Sequence, residues 1–502
     1  MPRRSSKRSR KASAPNAREV ASAAPRDATP TRREHAALVL VVAMILASQW
    51  LVDPRAADAF EALKRIVVRL GAVAAIVALG PEAVGAALLA PVAGAPTTTA
   101  RRRARAVTAL VGLVLAWGLC SACAAPHRDV ALDGWRGMVF AITLAALGAS
   151  RALDGKRARI ALGAFWVAAA VTALASLLET AGGLALFDIR ELGGRARGVA
   201  LVGNEGVVAL VMALAASSAA AVLVIQRESR GWLGKGAAAA LLAVTIAALV
   251  GTGNLTGWLA LAAGVVVVFA ARLRRRLAWA LLGLGLVLGL GVATVAPLRA
   301  RLALTTTTLR RADWTVALTY RPIAWRAALE GVRERPLLGQ GPGTFESSFV
   351  RLRLAAEQRL GRRLVKPELN AHFDAAHDEY LDAAAALGVP GALALVAVCG
   401  YLLARLVALL RPPAADPAPL PNQRDDADTA LVCLAVLASA AVASSTWFPL
   451  QRLSSSVAIL LVAGRAARVA CGERAATTLE PHRRSRAVGV ASIAVLALLA
   501  LP

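Results

Sequence analysis

The 502-residue chain is 57% hydrophobic with a mean hydropathy of +0.59, whereas an ordinary soluble domain is about 45–50% apolar, so much of its surface has to face lipid. Its formal net charge of +27 is gathered in short clusters between apolar runs and in the N-terminal tail. Lys and Arg that flank apolar helices set membrane orientation, which removes nucleic acid as the partner so basic a chain would otherwise suggest.

Residues 1–34 hold ten Lys/Arg against three Asp/Glu, with Ala, Ser and Pro between them, a composition that cannot bury enough surface to fold alone. A disordered, retained cytoplasmic tail over 1–35 is expected. A helix needs about 20 apolar residues to cross the hydrocarbon core, with shorter runs tolerated. Thirteen stretches qualify as candidates: 36–52, 66–94, 106–125, 134–150, 159–178, 198–225, 236–251, 255–271, 277–298, 389–410, 428–447, 454–471 and 487–502. Pro81-Glu82 interrupts the second and the last is short, so the expected fold is an all-α polytopic membrane protein of about 12–13 spans.

With the tail inside, parity assigns the loops at 101–105, 151–159, 226–235, 272–276, 411–428 and 465–486 to the same side, and all but the Pro- and Asp-containing one after Arg411 are clearly basic. The positive-inside rule asks for that side to be cytoplasmic. The opposite loops are mostly short or of mixed charge, such as 53–64 and 126–133, and the one long member is 299–379. Residues 36–298 are therefore expected to carry the first nine spans, 299–388 an extracytoplasmic loop, and 389–502 the last spans.

That loop has its own pattern. Thr305 to Thr308 is a polar β-branched stretch, and Tyr320 to Glu334 reads as a helix with Ile323, Ala327 and Leu329 among its apolar positions. Pro336 ends it, and Gly339-Gln-Gly341-Pro342-Gly343 forms a turn whose glycines reach conformations other residues avoid. Further helices are expected from Phe345 to Leu360 and from near Asp374 to Leu387, before Gly388-Val-Pro390-Gly391 bends the chain into the next span.

His377 stands out here, as one of only five histidines, beside Asp378, Glu379 and Tyr380. A neutral imidazole can take a proton from a sugar hydroxyl near neutral pH. The loop also holds 14 Lys/Arg against 9 Asp/Glu on the side where few cations are expected. Guanidinium forks bind phosphate oxygens bidentately, although most of these arginines, including Arg351, Arg353, Arg362 and Arg363, also fit lipid headgroups. Arg321 and Arg326 flank a Pro-Ile-Ala-Trp turn and look more constrained. Arg195 and Arg197 close the preceding outer loop just before Gly203-Asn204, a polar pair that is costly in lipid unless it faces a partner or a cavity. Gly203-Asn204 fits either a position facing the same outer cavity as the arginines or a helix-packing glycine beside a tolerated asparagine.

Other motifs carry no chemistry. Asp425-Asp426-Ala-Asp428 has the look of metal-binding carboxylates but falls in a Pro-rich inner linker. Gly339 to Gly343 lacks the spacing and the preceding strand of a nucleotide loop, and Asn254-Leu-Thr256 is a glycosylation sequon by pattern only. Cys120, Cys123, Cys399, Cys433 and Cys471 lie in or beside apolar stretches and read as small apolar core residues.

The run from Trp325, W-R-A-A-L-E-G-V-R-E-R-P-L-L-G-Q-G-P-G-T-F, followed after a gap by A-H-D-E-Y-L-D-A-A-A-A-L-G-V-P-G-A-L, resembles the O-antigen ligase and polymerase superfamily. Weaker similarity extends to Arg195–Gly206 and to Trp447-Phe-Pro-Leu-Gln451, so it covers mainly residues 190 to 460. The chain departs from the family pattern where Asn204-Glu205-Gly206 stands for an Asn-Pro-Asn turn, where Asp378 follows the histidine in place of asparagine, and where Gly253-Asn254-Leu255 replaces a Ser-Arg.

The resemblance implies a C-type glycosyltransferase fold in the bacterial cytoplasmic membrane. It also implies transfer of a glycan from an undecaprenyl diphosphate carrier to an acceptor hydroxyl on a glycolipid, glycan or protein, without cofactor or required metal. It makes His377 the base or acceptor-orienting group. Arg321 and one of Arg195 or Arg197 would neutralise the leaving diphosphate, with Arg326, Asn204, Asp378 and Tyr380 as further substrate contacts. A polymerase of the same fold fits equally well. A transporter would place ionisable groups near mid-membrane, where these spans carry few, and a non-enzymatic envelope-assembly protein would not need His377.

Overall fold

The computed structural model describes residues 31–53, 59–80, 98–184, 198–225, 232–272, 283, 285, 289, 296–311, 314–365, 372–410 and 421–471. Among these the chain is all-helical, without a strand. The long helices are α1 Arg32–Trp50, α2 Ala62–Leu79, α3 Thr98–Ala124, α4 Arg128–Ala149, α5 Lys156–Thr180, α6 Glu205–Val224, α7 Trp232–Thr252 and α8 Leu255–Arg272. They continue with α9 Ala296–Arg310, the single turn α10 Trp314–Ala317, α11 Arg321–Glu334, α12 Phe345–Leu360, α13 Glu379–Leu410, α14 Pro421–Ser444 and α15 Leu453–Cys471. Nine helices among the described residues are long and apolar enough to cross a membrane, namely α3 to α8 and α13 to α15. The protein is a polytopic membrane protein. Helices α1 and α2 are 19 and 18 residues long but carry several charges. The expected spans at 277–298 (apart from isolated positions and its last residues) and 487–502, the second half of 66–94, and the tail through residue 30 lie outside the described residues.

Sequence accounts for the helix ends. Thr31 opens α1 with a capping box, its hydroxyl accepting from the Glu34 amide while the Glu34 carboxylate accepts from the Thr31 amide. Asn204 caps α6, its side-chain oxygen accepting from the Gly206 amide at 2.8 Å. The α6 helix is apolar all round and buried on nearly every side, which makes it the centre of the bundle, packed against α7, α8 and α14. Small residues let backbones approach, as where Gly148 of α4 and Gly464 of α15 each face a main-chain carbonyl of the other helix.

Side-chain contacts gather the described loops at two ends. At one end Arg157 pairs with Glu34 at 2.7 Å, Arg465 and Arg468 both pair with Asp154, and Arg272 reaches Asp428 at 3.6 Å. At the other end Lys64 donates to the Leu201 carbonyl at 3.1 Å, Thr256 and Thr446 bond at 3.1 Å, and Trp117 donates to the Leu387 carbonyl at 2.8 Å.

The long segment after α9 builds a small helical unit at this second end, with its own core of Ile323, Ala327, Phe345, Phe349, Leu352 and Ala376. It is anchored by Arg335, which donates to the Ala124 carbonyl at 2.6 Å, and by the glycine turn, whose Gln340 and Gly341 amides bond the Ala385 and Ala386 carbonyls. Gly388, at φ +72°, breaks α13 here, and a Cβ at that position would collide with the Leu337 carbonyl. Only glycine permits both the left-handed turn and the close approach.

Four expectations are corrected. The helix after Asp374 starts at Glu379, so His377 sits before it in irregular backbone at φ +55°. Arg32 to His35, expected in the disordered tail, form the first turn of α1 behind the Thr31 cap. Asp425 to Asp428 fall on α14 instead of in the Pro-rich linker before it. Cys120, Cys123 and Cys399 are exposed, and only Cys433 and Cys471 are buried, because in a membrane protein an apolar side chain is as well placed toward lipid as toward the core.

Candidate functional site

His377 and Arg321 come together at the second end of the bundle, on a cluster of aromatic rings that neither helix supplies alone. Tyr320, at φ +62°, turns the chain in the left-handed region so that Arg321 opens α11, followed by Pro322 where a missing amide costs nothing. Thr319 also has a positive φ, at +57°. Such outliers in non-glycine residues persist only where the surroundings over-determine them. Here they set the approach of Arg321.

The His377 ring is enclosed edge-on by Phe373 at 5.4 Å and by Phe448 at 4.7 Å, with Trp447 tilted at 5.3 Å. Trp447 and Phe448 stack on each other at 4.6 Å. The Arg321 guanidinium lies 5.5 Å from the Trp447 ring centroid, and Arg452 lies 4.9 Å from that of Phe448. His377 Nδ1 is buried and has no hydrogen-bond partner among the described residues. Burial first, then the Arg321 charge, hold the imidazole down at about 4, with Arg452 adding to the lowering and Asp374 opposing it. At neutral pH this is an uncharged ring, its Nδ1 buried and unpartnered, in the field of two guanidinium groups.

The loop after α14 is latched to the segment bearing His377 by three contacts. Arg452 pairs with Asp374 at 2.7 Å, the Glu379 carboxylate accepts from the Leu450 amide at 2.8 Å, and Gln451 donates to Asp382 at 3.0 Å. Beneath it, Lys64 is fully buried and donates to the Leu201 carbonyl and the Ser454 hydroxyl, while burial raises the pKa of the adjacent Glu61 against the pull of Lys64 and Arg452. The buried Glu179 carboxylate accepts from the Gly198 and Ala200 amides at 3.1 and 2.8 Å, shaping the turn before α6.

Asn204 arrives at the cluster by this route. A Cβ on Gly206 would meet the Trp447 ring at 2.7 Å and the Asn204 side-chain oxygen at 3.1 Å, so the α6 N-terminus abuts the floor of the site. Asn204 thus begins its helix instead of interrupting one, and its oxygen is engaged in the cap. Asp378 caps α13 in the same way, accepting from the Tyr380 and Leu381 amides at 3.0 Å each, and burial raises its pKa. Tyr380 donates to the Ala441 carbonyl at 2.8 Å. Arg326 faces elsewhere, into a cleft with Trp314 and Trp325. Arg195 and Arg197 lie outside the described residues.

Sequence reasoning did not single out Trp447, Phe448, Arg452, Asp374, Glu379 or Asp382 as site residues. The available signal was Trp-Phe-Pro-Leu-Gln-Arg closing an apolar span, a dense aromatic and polar run at a membrane boundary.

Searched against curated proteins, the chain finds no match. Residues 238–396 match a protein-family model described as O-Antigen ligase. That stretch runs from within α7 to the middle of α13 and includes Arg321 and His377, while Asn204 and the Trp447–Arg452 loop complete the cluster from outside it. Residues 238–396 of this polytopic membrane protein are thus similar to the O-antigen ligase superfamily.

Proposed function

We propose that the protein transfers a glycan from undecaprenyl diphosphate to an acceptor hydroxyl at the extracytoplasmic face of a bacterial cytoplasmic membrane, with residues 299–388 on that face. The observation that carries this reading is the neutral His377 imidazole, its Nδ1 unpartnered, set beside Arg321 at one end of the bundle. The orientation is supported by the gathering of the Lys/Arg-rich loops at the opposite end.

In this reaction the His377 imidazole accepts the proton of the acceptor hydroxyl as its oxygen attacks the anomeric carbon of the donor. The bond between that carbon and the diphosphate oxygen breaks, and the electron pair leaves with undecaprenyl diphosphate. Arg321 meets the growing charge on the leaving group, helped by Arg195 or Arg197, a stabilisation worth most in a water-poor site. The anionic donor also offsets the cationic field of Arg321 and Arg452 that depresses the His377 pKa, so donor binding raises the basicity of the ring when it is needed. Asp378 and Asn204 act here by capping the helices that carry the site, and no metal is used.

The test is His377→Ala in cells and in purified protein. Transfer falls by at least about a hundredfold, the usual scale of a general base, while membrane insertion and abundance stay as in the parent. Retained transfer overturns the base assignment. Glycolipid profiles of cells lacking the protein report the step: full-length lipid-linked polymer accumulates if a ligase is missing, and single lipid-linked units if a polymerase is.

A further inference from the structure

A second concave site lies on the far side of α11. Pro322, Trp325, Arg326, Leu329 and Arg333 recur at helical spacing along one face of this helix, while Ile323, Ala324, Ala327 and Ala328 on its other side fill the core of the outer unit. The outward face of an amphipathic helix is ordinarily polar. This one carries tryptophan and leucine between arginines, and with Trp314, Arg359 and Leu360 opposite it bounds a cleft of about 440 Å³, within the range of small-molecule sites.

The lining is built to receive something. Trp314 is 59% exposed and Leu329 43% exposed. The Trp325 indole N–H, a donor with no acceptor function, is buried without a hydrogen-bond partner among the described residues. Glu330, itself buried, holds Arg359 through two nitrogens at 2.7 and 3.0 Å and Arg333 at 3.3 Å, which orients both guanidinium groups while leaving N–H donors on each. Among the described residues, three arginines against one carboxylate leave the cleft positive. It begins at Pro322, the residue after Arg321, and follows α11 for roughly 16 Å at 1.5 Å per residue.

We propose that this cleft is a saccharide subsite holding an acidic stretch of the glycan handled at His377, its sugar rings lying on Trp314 and Trp325 and its carboxylate or phosphate groups on Arg326, Arg333 and Arg359. Indole faces suit the apolar C–H faces of sugar rings, and guanidinium forks suit carboxylates and phosphates. The proposal rests on the glycan-transfer reading above. The same chemistry serves a donor glycan and an acceptor glycan, and the experiment separates them.

Full-length protein in nanodiscs is titrated with tetragalacturonate and with neutral cellotetraose. The acidic probe binds at least about tenfold more tightly, and Trp314→Ala and Arg326→Gln each weaken it by about tenfold or more, whereas His377→Ala does not. Equal affinity for the two probes, or binding unaffected by both cleft variants, overturns the subsite. Capture by the cleft of vesicles rich in anionic phospholipid, with no tetragalacturonate binding, also overturns it and marks the cleft as a membrane contact. In transfer assays the cleft variants raise the KM of the donor or of the acceptor, whichever glycan occupies the cleft, and no change in either KM is a refutation. Loss of transfer by these variants with unchanged tetragalacturonate affinity also counts against the subsite. A transfer-competent His377→Ala would instead sink the base assignment and leave the binding result standing.

Discussion

Arg321→Gln isolates the electrostatic half of the site. The Arg321 guanidinium lies 5.5 Å from the Trp447 ring centroid and His377 lies 5.3 Å from it, so the two groups are no more than about 11 Å apart. At an effective dielectric of about 20, unit charges at that separation repel by roughly 1.5 kcal/mol, or about one pKa unit. Removing the guanidinium should therefore raise the His377 pKa from about 4 toward 5. The value stays below 6.5 because burial, the larger cause, is untouched. With only five histidines in the chain, ¹⁵N-labelled imidazole resonances followed from pH 3.5 to 8 resolve the titration, and His377→Gln identifies the signal. An unchanged pKa would show that Arg321 exerts no field at the ring. A rise to 6.5 would show that the ring is not buried as the aromatic enclosure requires.

The same enclosure makes folding sensitive to acid. The folded state keeps His377 neutral with a pKa of about 4 against 6.5 unfolded, so the unfolded chain binds more protons between these values and stability falls as pH drops from 6.5 toward 4, by on the order of 3 kcal/mol. Thermal unfolding in detergent should lose much of this slope in His377→Phe. Asp154→Asn leaves the buried Arg465 without its carboxylate, a loss of about 3 kcal/mol read as a lowered apparent Tm. The double variant Asp154→Leu with Arg465→Met should recover part of it, and an unshifted Tm in Asp154→Asn would mean the pair is well solvated. Gly206→Leu forces the Trp447 ring aside, so transfer falls at least about tenfold and the His377 pKa moves up as its cover opens. An unmoved titration would show that the α6 N-terminus does not support the ring cluster.

Helix positions were legible because each span needs a run of apolar residues, and parity with Lys/Arg counting grouped the loops that ion pairs such as Arg157–Glu34 and Arg465–Asp154 then join. The helix α12 was readable to the residue, from Phe345 to Leu360, since it is amphipathic and bounded by glycine turns. Burial of the cysteines was not readable, because hydropathy does not distinguish a lipid-facing side chain from a core one.

The sequence by itself determined an all-α membrane protein with one long polar segment, and it put forward His377 and Arg321 through a local pattern. It could not decide what surrounds them. Phe373, Trp447 and Phe448 enclose His377 from segments some 70 residues apart, and Arg326, only five residues from Arg321, lines a different cleft. Tertiary packing settled both, since helix rotation decides which neighbours share a face, and long-range docking decides which rings desolvate a base.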